Sequence, residues 1–123
     1  MIKFGLIGAG KIAHAFSKAA KESGIILEAV GSRNIDNAIK FKDQYGYNKA
    51  YGSYEELLND KEVDAIYLAT PHGLHYEQML TILKYKKHIL CEKAFTLSKA
   101  QAEHVFIEAK KQGVYVMEAM WTR

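Results

Sequence analysis

The sequence predicts an α/β protein, a doubly wound parallel sheet in a single domain spanning residues 1–123, on three observations. Strand-like apolar runs alternate with helix-period segments from end to end. The runs are mostly continuous rather than alternating, as suits strands covered on both faces. A glycine-rich loop joins the first run to the first helical segment. With 123 residues, 49% of them hydrophobic, the chain can bury one ordinary core.

The strand-like runs are "IKFGLIG" (2–8), "IILEAVGS" (25–32), "VDAIYLAT" (63–70), "HILCE" (88–92) and "VYVMEAM" (114–120). Between the first two, Ile12, Ala15, Phe16, Ala19 and Ala20 repeat at the spacing of one helix face, and Gly24 offers a stop. Tyr76, Met79, Leu80 and Leu83 form a second apolar stripe, and Ala102, Val105, Phe106 and Ala109 a third, ahead of Gly113. Ser53-x-x-Glu56 and Ser98-x-x-Gln101 read as capping boxes that open helices. Alternation of this kind requires crossover connections and helices on both sides of the sheet. Ligands then bind beyond the carboxyl ends of the strands, in the loops after residues 8, 32, 70, 92 and 120.

The net charge of +3 is scattered along the chain, which argues against nucleic acid and against an acidic membrane as partners. No segment approaches the ~20 apolar residues of a membrane span. The apolar start "MIKFGLIGAG" is too short for a signal peptide and dissolves into glycines and Lys11. A single cysteine, Cys91, excludes an intramolecular disulfide and suits a reducing, cytoplasmic compartment, where it reads as a small core residue. His72 and His75 flank Gly73, but with no third His or Cys nearby no metal site is expected.

The loop Gly8-Ala9-Gly10-Lys11-Ile12-Ala13 is a G-x-G-x-x-A between a strand and a helix. Gly8 permits the tight turn, Gly10 the approach of a pyrophosphate, and Ala13 close packing of helix on strand, with the helix N-terminus facing the phosphates. In this strand-turn-helix context it reads as the dinucleotide loop of a Rossmann fold. The second strand decides which dinucleotide is bound. A ribose-binding acid is missing at its end, which reads Gly31-Ser32-Arg33-Asn34, and Glu28 lies several residues too early. A hydroxyl followed by a guanidinium suits a 2′-phosphate, so the loop favours NADP over NAD; Arg33 could also lie on the adenine ring.

Pro71, the only proline, stiffens the loop "LATPHGLHYEQ" where a cofactor would run. Glu92 and Lys93 end the next strand. A partly desolvated lysine beside a cofactor can pass the proton that accompanies hydride transfer. On chemistry alone, a solvated acid–base pair closing a strand stands beside that reading and is slightly favoured.

Taken in order, "GLIGAGKIA", "GSRN", "ATPHGLHYEQ", "CEKAFTLS" and "EAMWTR" resemble the glucose-fructose oxidoreductase and inositol dehydrogenase (Gfo/Idh/MocA) family across the whole chain, and the ending is most similar to its dihydrodiol dehydrogenase branch. The resemblance implies cofactor contacts from Gly8, Ala9, Gly10, Lys11 and Ile12 at the pyrophosphate and from Ser32 and Arg33 at the adenosine end. It places Thr70, Pro71 and His75 along the passage to the nicotinamide, Glu92 at the ribose, and Trp121 and Arg123 near the cofactor pocket. Lys93 corresponds to the catalytic lysine of the family's Glu-Lys-Pro motif.

The implied activity is hydride transfer between NADP (or NAD) and a sugar, polyol or diol. Two departures stand out. Ala94 replaces the motif's proline, and the second α/β domain that carries the family's substrate pocket has no counterpart in these residues. The chain is therefore expected to be a cofactor-binding fragment with little activity alone, able to form homo-oligomers through an uncovered edge or face. A non-catalytic nucleotide-sensing or interaction module is the alternative.

Overall fold

A computed structural model describes residues 2–8, 11–70, 75–91 and 98–118, the side chains of Lys11, Ile12 and Glu118 excepted. Strands and helices alternate as β1 (Lys3–Ile7), α1 (Lys11–Glu22), β2 (Ile26–Gly31), α2 (Ile35–Tyr45), β3 (Lys49–Tyr51), α3 (Tyr54–Leu58), β4 (Ala65–Leu68), α4 (His75–Lys84), β5 (His88–Cys91), α5 (Lys99–Gln112) and β6 (Val116–Glu118). Among the described residues the sheet has six strands, all parallel, in the order β3-β2-β1-β4-β5-β6. The chain runs outward from β1 to β3, then crosses back to place β4 on the other side of β1. That reversal opens a crevice at the carboxyl ends of β1 and β4.

Successive strand residues face opposite sides except where β2 slips one residue against β1 opposite Phe4 and Gly5, and the core divides accordingly. Ile7, Ile66, Leu68 and Ile89 pack under α3, α4 and α5 with Leu57, Met79, Ile82, Leu83 and Val105. Leu6, Leu27, Val30 and Tyr67 pack under α1 and α2 with Ala13, Phe16, Ala38 and Phe41. On this second face the Phe16 and Tyr67 rings stack at 3.9 Å, which locks α1 against β4.

The five expected strands are present, and β1, β2, β4 and β6 begin one or two residues after their apolar runs do. The sixth, β3, has no apolar run to announce it. Its three residues are half-buried at the sheet edge, and pairing with Ala29, Val30 and Gly31 defines it. Lys49, its first residue, ties the edge down through ion pairs to Glu28 (3.0 Å) and Asp60 (2.9 Å).

Two helix faces differ from the expected ones. The buried stripe of α1 is Ala13, Phe16, Ser17 and Ala20, whereas Ala15 is exposed and Ala19 half-buried. Ser17 joins the core because its hydroxyl shares a 2.7 Å hydrogen bond with buried Tyr47, so its polar group is satisfied. On α5, Val105 and Ala109 are buried, but Phe106 is 48% exposed.

The caps divide as well. Ser98 and Gln101 form the full reciprocal box, and Gly113 closes α5 at φ 73°. At α3, Ser53 accepts from the Glu56 N–H at 3.2 Å, while the Glu56 carboxylate takes the Ser53 hydroxyl proton rather than the backbone N–H. A third cap, Asn34, accepts from the N–H groups of Asp36 and Asn37. Among the described residues no helix is long and apolar enough to cross a membrane.

Candidate cofactor site at the carboxyl edge of the sheet

Three of the expected cofactor residues stand at strand ends on one edge of the sheet. Gly8 follows β1, Ser32 follows β2 and Thr70 follows β4 by two residues. Gly8 has φ +104°, and a Cβ placed on it would lie 2.8 Å from both the carbonyl carbon and the oxygen of Ala69. No other residue type fits, because both the dihedral and the space exclude a side chain. The neighbouring Ala69 N–H donates to the Ile7 carbonyl at 2.9 Å, so the loop leaves β1 in backbone contact with the end of β4. Ala13, one turn into α1, is fully buried, which gives the close helix–strand packing expected of the motif's last position. Gly8 and Ala13 thus meet the steric demands that the motif places on its first and last positions.

Ser32 is buried at the end of β2. Its N–H donates to the Tyr51 carbonyl at 3.1 Å, and its hydroxyl accepts from the Asn34 N–H at 3.2 Å. Because Asn34 in turn caps α2, the Ser32-Arg33-Asn34 turn is held at both ends. Arg33 between them is exposed, with its guanidinium 6.0 Å from the centre of the Tyr54 ring. A cation carried on a braced turn and resting near an aromatic face is placed to meet an anion or a base from solvent.

Thr70 is buried, and its hydroxyl donates to the Gln78 side-chain oxygen. Its carbonyl accepts from His75 Nε2–H at 2.6 Å. His75 is fully buried at the start of α4, and its Nδ1 lies 3.2 Å from the Cys91 sulfur at the end of β5. A carbonyl can only accept, so Nε2 carries a proton. The His75 ring is therefore an internal brace between β4 and β5.

Above Ile7 of β1, between α3 and α4, lies a cleft of about 230 Å³ lined by Ile7, Tyr54, Leu58, Glu77, Gln78, Thr81 and Ile82. Of its lining, Ile7 precedes Gly8, Tyr54 lies near Arg33 and Gln78 bonds to Thr70. Tyr54, Gln78 and Thr81 were not among the expected site residues. A spacing signal existed for two of them: Gln78 and Thr81 sit three apart on α4, on the side next to the buried stripe.

Of the remaining expected residues, Lys11 and Ile12 begin α1, with only their backbone described. Ala9, Gly10, Pro71, Glu92, Lys93, Trp121 and Arg123 lie outside the described residues, as does Ala94. Among the described residues no cluster of three or more His, Cys, Asp or Glu could hold a metal.

Comparison with known proteins fits this geometry. Trans-1,2-dihydrobenzene-1,2-diol dehydrogenase of Xenopus tropicalis is 36% identical over 124 residues, covering 98% of this chain and 38% of that protein. D-xylose 1-dehydrogenase (NADP(+)) of Hypocrea jecorina is 34% identical, covering 99% of this chain and 34% of that protein. KijD10, a 3-ketoreductase from Actinomadura kijaniata crystallised with NADP and TDP-benzene, superposes with a TM-score of 0.89 at 34% identity, over 95% of this chain and 36% of that one. The chain thus spans just over a third of the length of the relatives it matches. With the oxidoreductase pattern matching residues 2–120 and the parallel sheet and glycine turn in place, the chain belongs to the Gfo/Idh/MocA oxidoreductase family, as its NAD-binding Rossmann fold.

Proposed function

We propose that residues 1–123 are the NADP-binding domain of an oxidoreductase that moves a hydride between nicotinamide and the carbinol or carbonyl carbon of a sugar, polyol or diol. The observation that carries the reading is Gly8, whose φ of +104° and contact with Ala69 admit no side chain at the turn where a pyrophosphate would lie. The relatives named above support the substrate class, as a diol dehydrogenase, a xylose dehydrogenase and a ketoreductase.

Each residue has a role in this reading. Gly8, Ala9, Gly10, Lys11 and Ile12 present backbone N–H groups and the start of α1 to the pyrophosphate. Ser32 and Arg33 hold the adenosine end, with the Arg33 guanidinium on the 2′-phosphate. Thr70 and Pro71 border the passage toward the nicotinamide, with His75 bracing Thr70 from the interior, and Glu92 takes ribose hydroxyls. Trp121 and Arg123 border the pocket.

Held by these residues, NADP would supply the hydride-transfer chemistry. Lys93 takes the hydroxyl proton as the substrate is oxidised, or returns it to the carbonyl oxygen on reduction. Cytoplasmic location and self-association belong to the same proposal.

Titration of the chain with NADPH and NADH, repeated on Arg33→Ala, tests the assignment. NADPH should bind more tightly, and the substitution should erase the difference. A preference for NADH in the parent chain overturns the NADP reading, and binding of neither overturns the dinucleotide reading.

A further inference from the structure

Apart from the Tyr54 phenol, the polar lining of the cleft between α3 and α4 comes from α4. Ile7, Leu58 and Ile82 are aliphatic, and Tyr54 supplies a ring with Arg33 near its face. Glu77, Gln78 and Thr81 come from α4. The Thr81 hydroxyl donates to the Glu77 carbonyl at 3.1 Å and so remains with its own helix. Gln78 is held differently. Its Oε1 accepts from the buried Thr70 hydroxyl, which fixes the orientation of the carboxamide and leaves the two Nε2–H donors on the other side of the group. Glu77, exposed at the rim, offers only acceptors while ionised.

A cleft with an aromatic wall, aliphatic walls and one carboxamide donor held in a fixed orientation is complementary to a planar base that presents an acceptor at its leading edge. Adenine does so at N1, and with N9 and its sugar turned back toward the Ser32 and Gly8 turns that edge would lead into the cleft. Hypoxanthine has the same shape with the pattern reversed, a proton at N1 and an oxygen at C6.

We propose that Gln78 is a specificity-determining residue that reads the cofactor's base. Its Nε2–H donates to adenine N1, and Thr70 acts as a positioning residue by keeping the amide turned the right way. The assignment rests on the dinucleotide reading above and adds to it the base that is selected and the group that selects it.

The experiment compares NADPH with the reduced nicotinamide hypoxanthine dinucleotide phosphate, titrated into the 123-residue chain by fluorescence or calorimetry. The parent should prefer NADPH about tenfold, the size of one net hydrogen bond. Gln78→Ala should bring the ratio close to one. Gln78→Glu should invert it, because a carboxylate accepts from the hypoxanthine N1–H and repels an adenine acceptor. Thr70→Val should also flatten the ratio, with Thr70→Ser restoring it, a pattern that loss of stability alone would not produce.

Equal affinity for the two cofactors in the parent, or a preference that survives Gln78→Ala, overturns the assignment while leaving the dinucleotide site standing. Binding of neither cofactor overturns both.

Discussion

The His75 imidazole joins two strand ends: Nδ1 pairs with Cys91 Sγ at 3.2 Å, and Nε2–H donates to the Thr70 carbonyl at 2.6 Å. All three residues are buried, so the ring replaces the water that would otherwise have to satisfy these groups. His75→Leu removes both bonds and leaves the Thr70 carbonyl without this donor in the interior. Urea unfolding should show a loss of about 1–3 kcal/mol. Cys91 should resist thiol reagents under native conditions and react on unfolding. Rapid native labelling would contradict its burial.

Gly8→Ala places a Cβ 2.8 Å from the Ala69 carbonyl group in a backbone conformation that L-residues avoid. Relief requires β1 and the end of β4 to separate, which disturbs the glycine turn itself. NADPH affinity should fall by more than about tenfold, with a stability loss of order 1–3 kcal/mol. A Gly8→Ala chain with parental affinity would remove the turn from the cofactor site.

Glu28 and Asp60 share Lys49 beneath the sheet edge. Burial alone would raise the Glu28 carboxyl, but hydrogen bonds from Asn48 and Lys49 outweigh it and hold the group below its ordinary 4.5. Burial likewise opposes ionisation of Asp60, and Lys49, Tyr51 and the Glu62 N–H overcome it, holding Asp60 below its ordinary 3.8. Carboxyls depressed in the folded state stabilise it above their ordinary values, and that contribution is lost as pH falls through the folded ones. Lys49→Met should therefore melt well below the parent at pH 7, with the gap narrowing as the pH falls below 4. Thermal melts across pH 3–8 would check this, and a gap independent of pH would refute it.

The two serine caps should differ. Ser98→Ala breaks a reciprocal box and should cost about 1 kcal/mol. Ser53→Ala should cost less, because α3 has only five residues and the Glu56 side chain does not return to the backbone. Denaturant midpoints of the two variants would rank them.

Lys93→Met tests the chemistry apart from binding. In an oxidoreductase carrying this domain together with a substrate domain, the variant should keep its cofactor affinity and lose turnover by at least about a hundredfold, the lower range for a general acid–base group. Unchanged turnover would take Lys93 out of the mechanism.

The sequence by itself determined the alternation of strands and helices, the parallel sheet and the glycine turn. Each depends on short-range patterns: continuous apolar runs, 3.6-residue periodicity, and a glycine pair between them. It also determined Ser32 and Arg33 as neighbours at a strand end, since β2 closes at Gly31.

Only the tertiary structure decided what depends on distant partners. β3 exists because β2 offers it a ladder and because Glu28 and Asp60 hold Lys49, contacts that no apolar pattern encodes. Ser17 is buried because Tyr47 answers its hydroxyl, and Phe106 is exposed because Val105 and Ala109 take the inner face of α5. The cleft that brings Tyr54 and Gln78 together, and the His75 brace beneath it, arise where α3, α4 and the ends of β1, β4 and β5 converge. Residues far apart along the chain meet there because burying the two faces of one sheet leaves its helices no other place to pack.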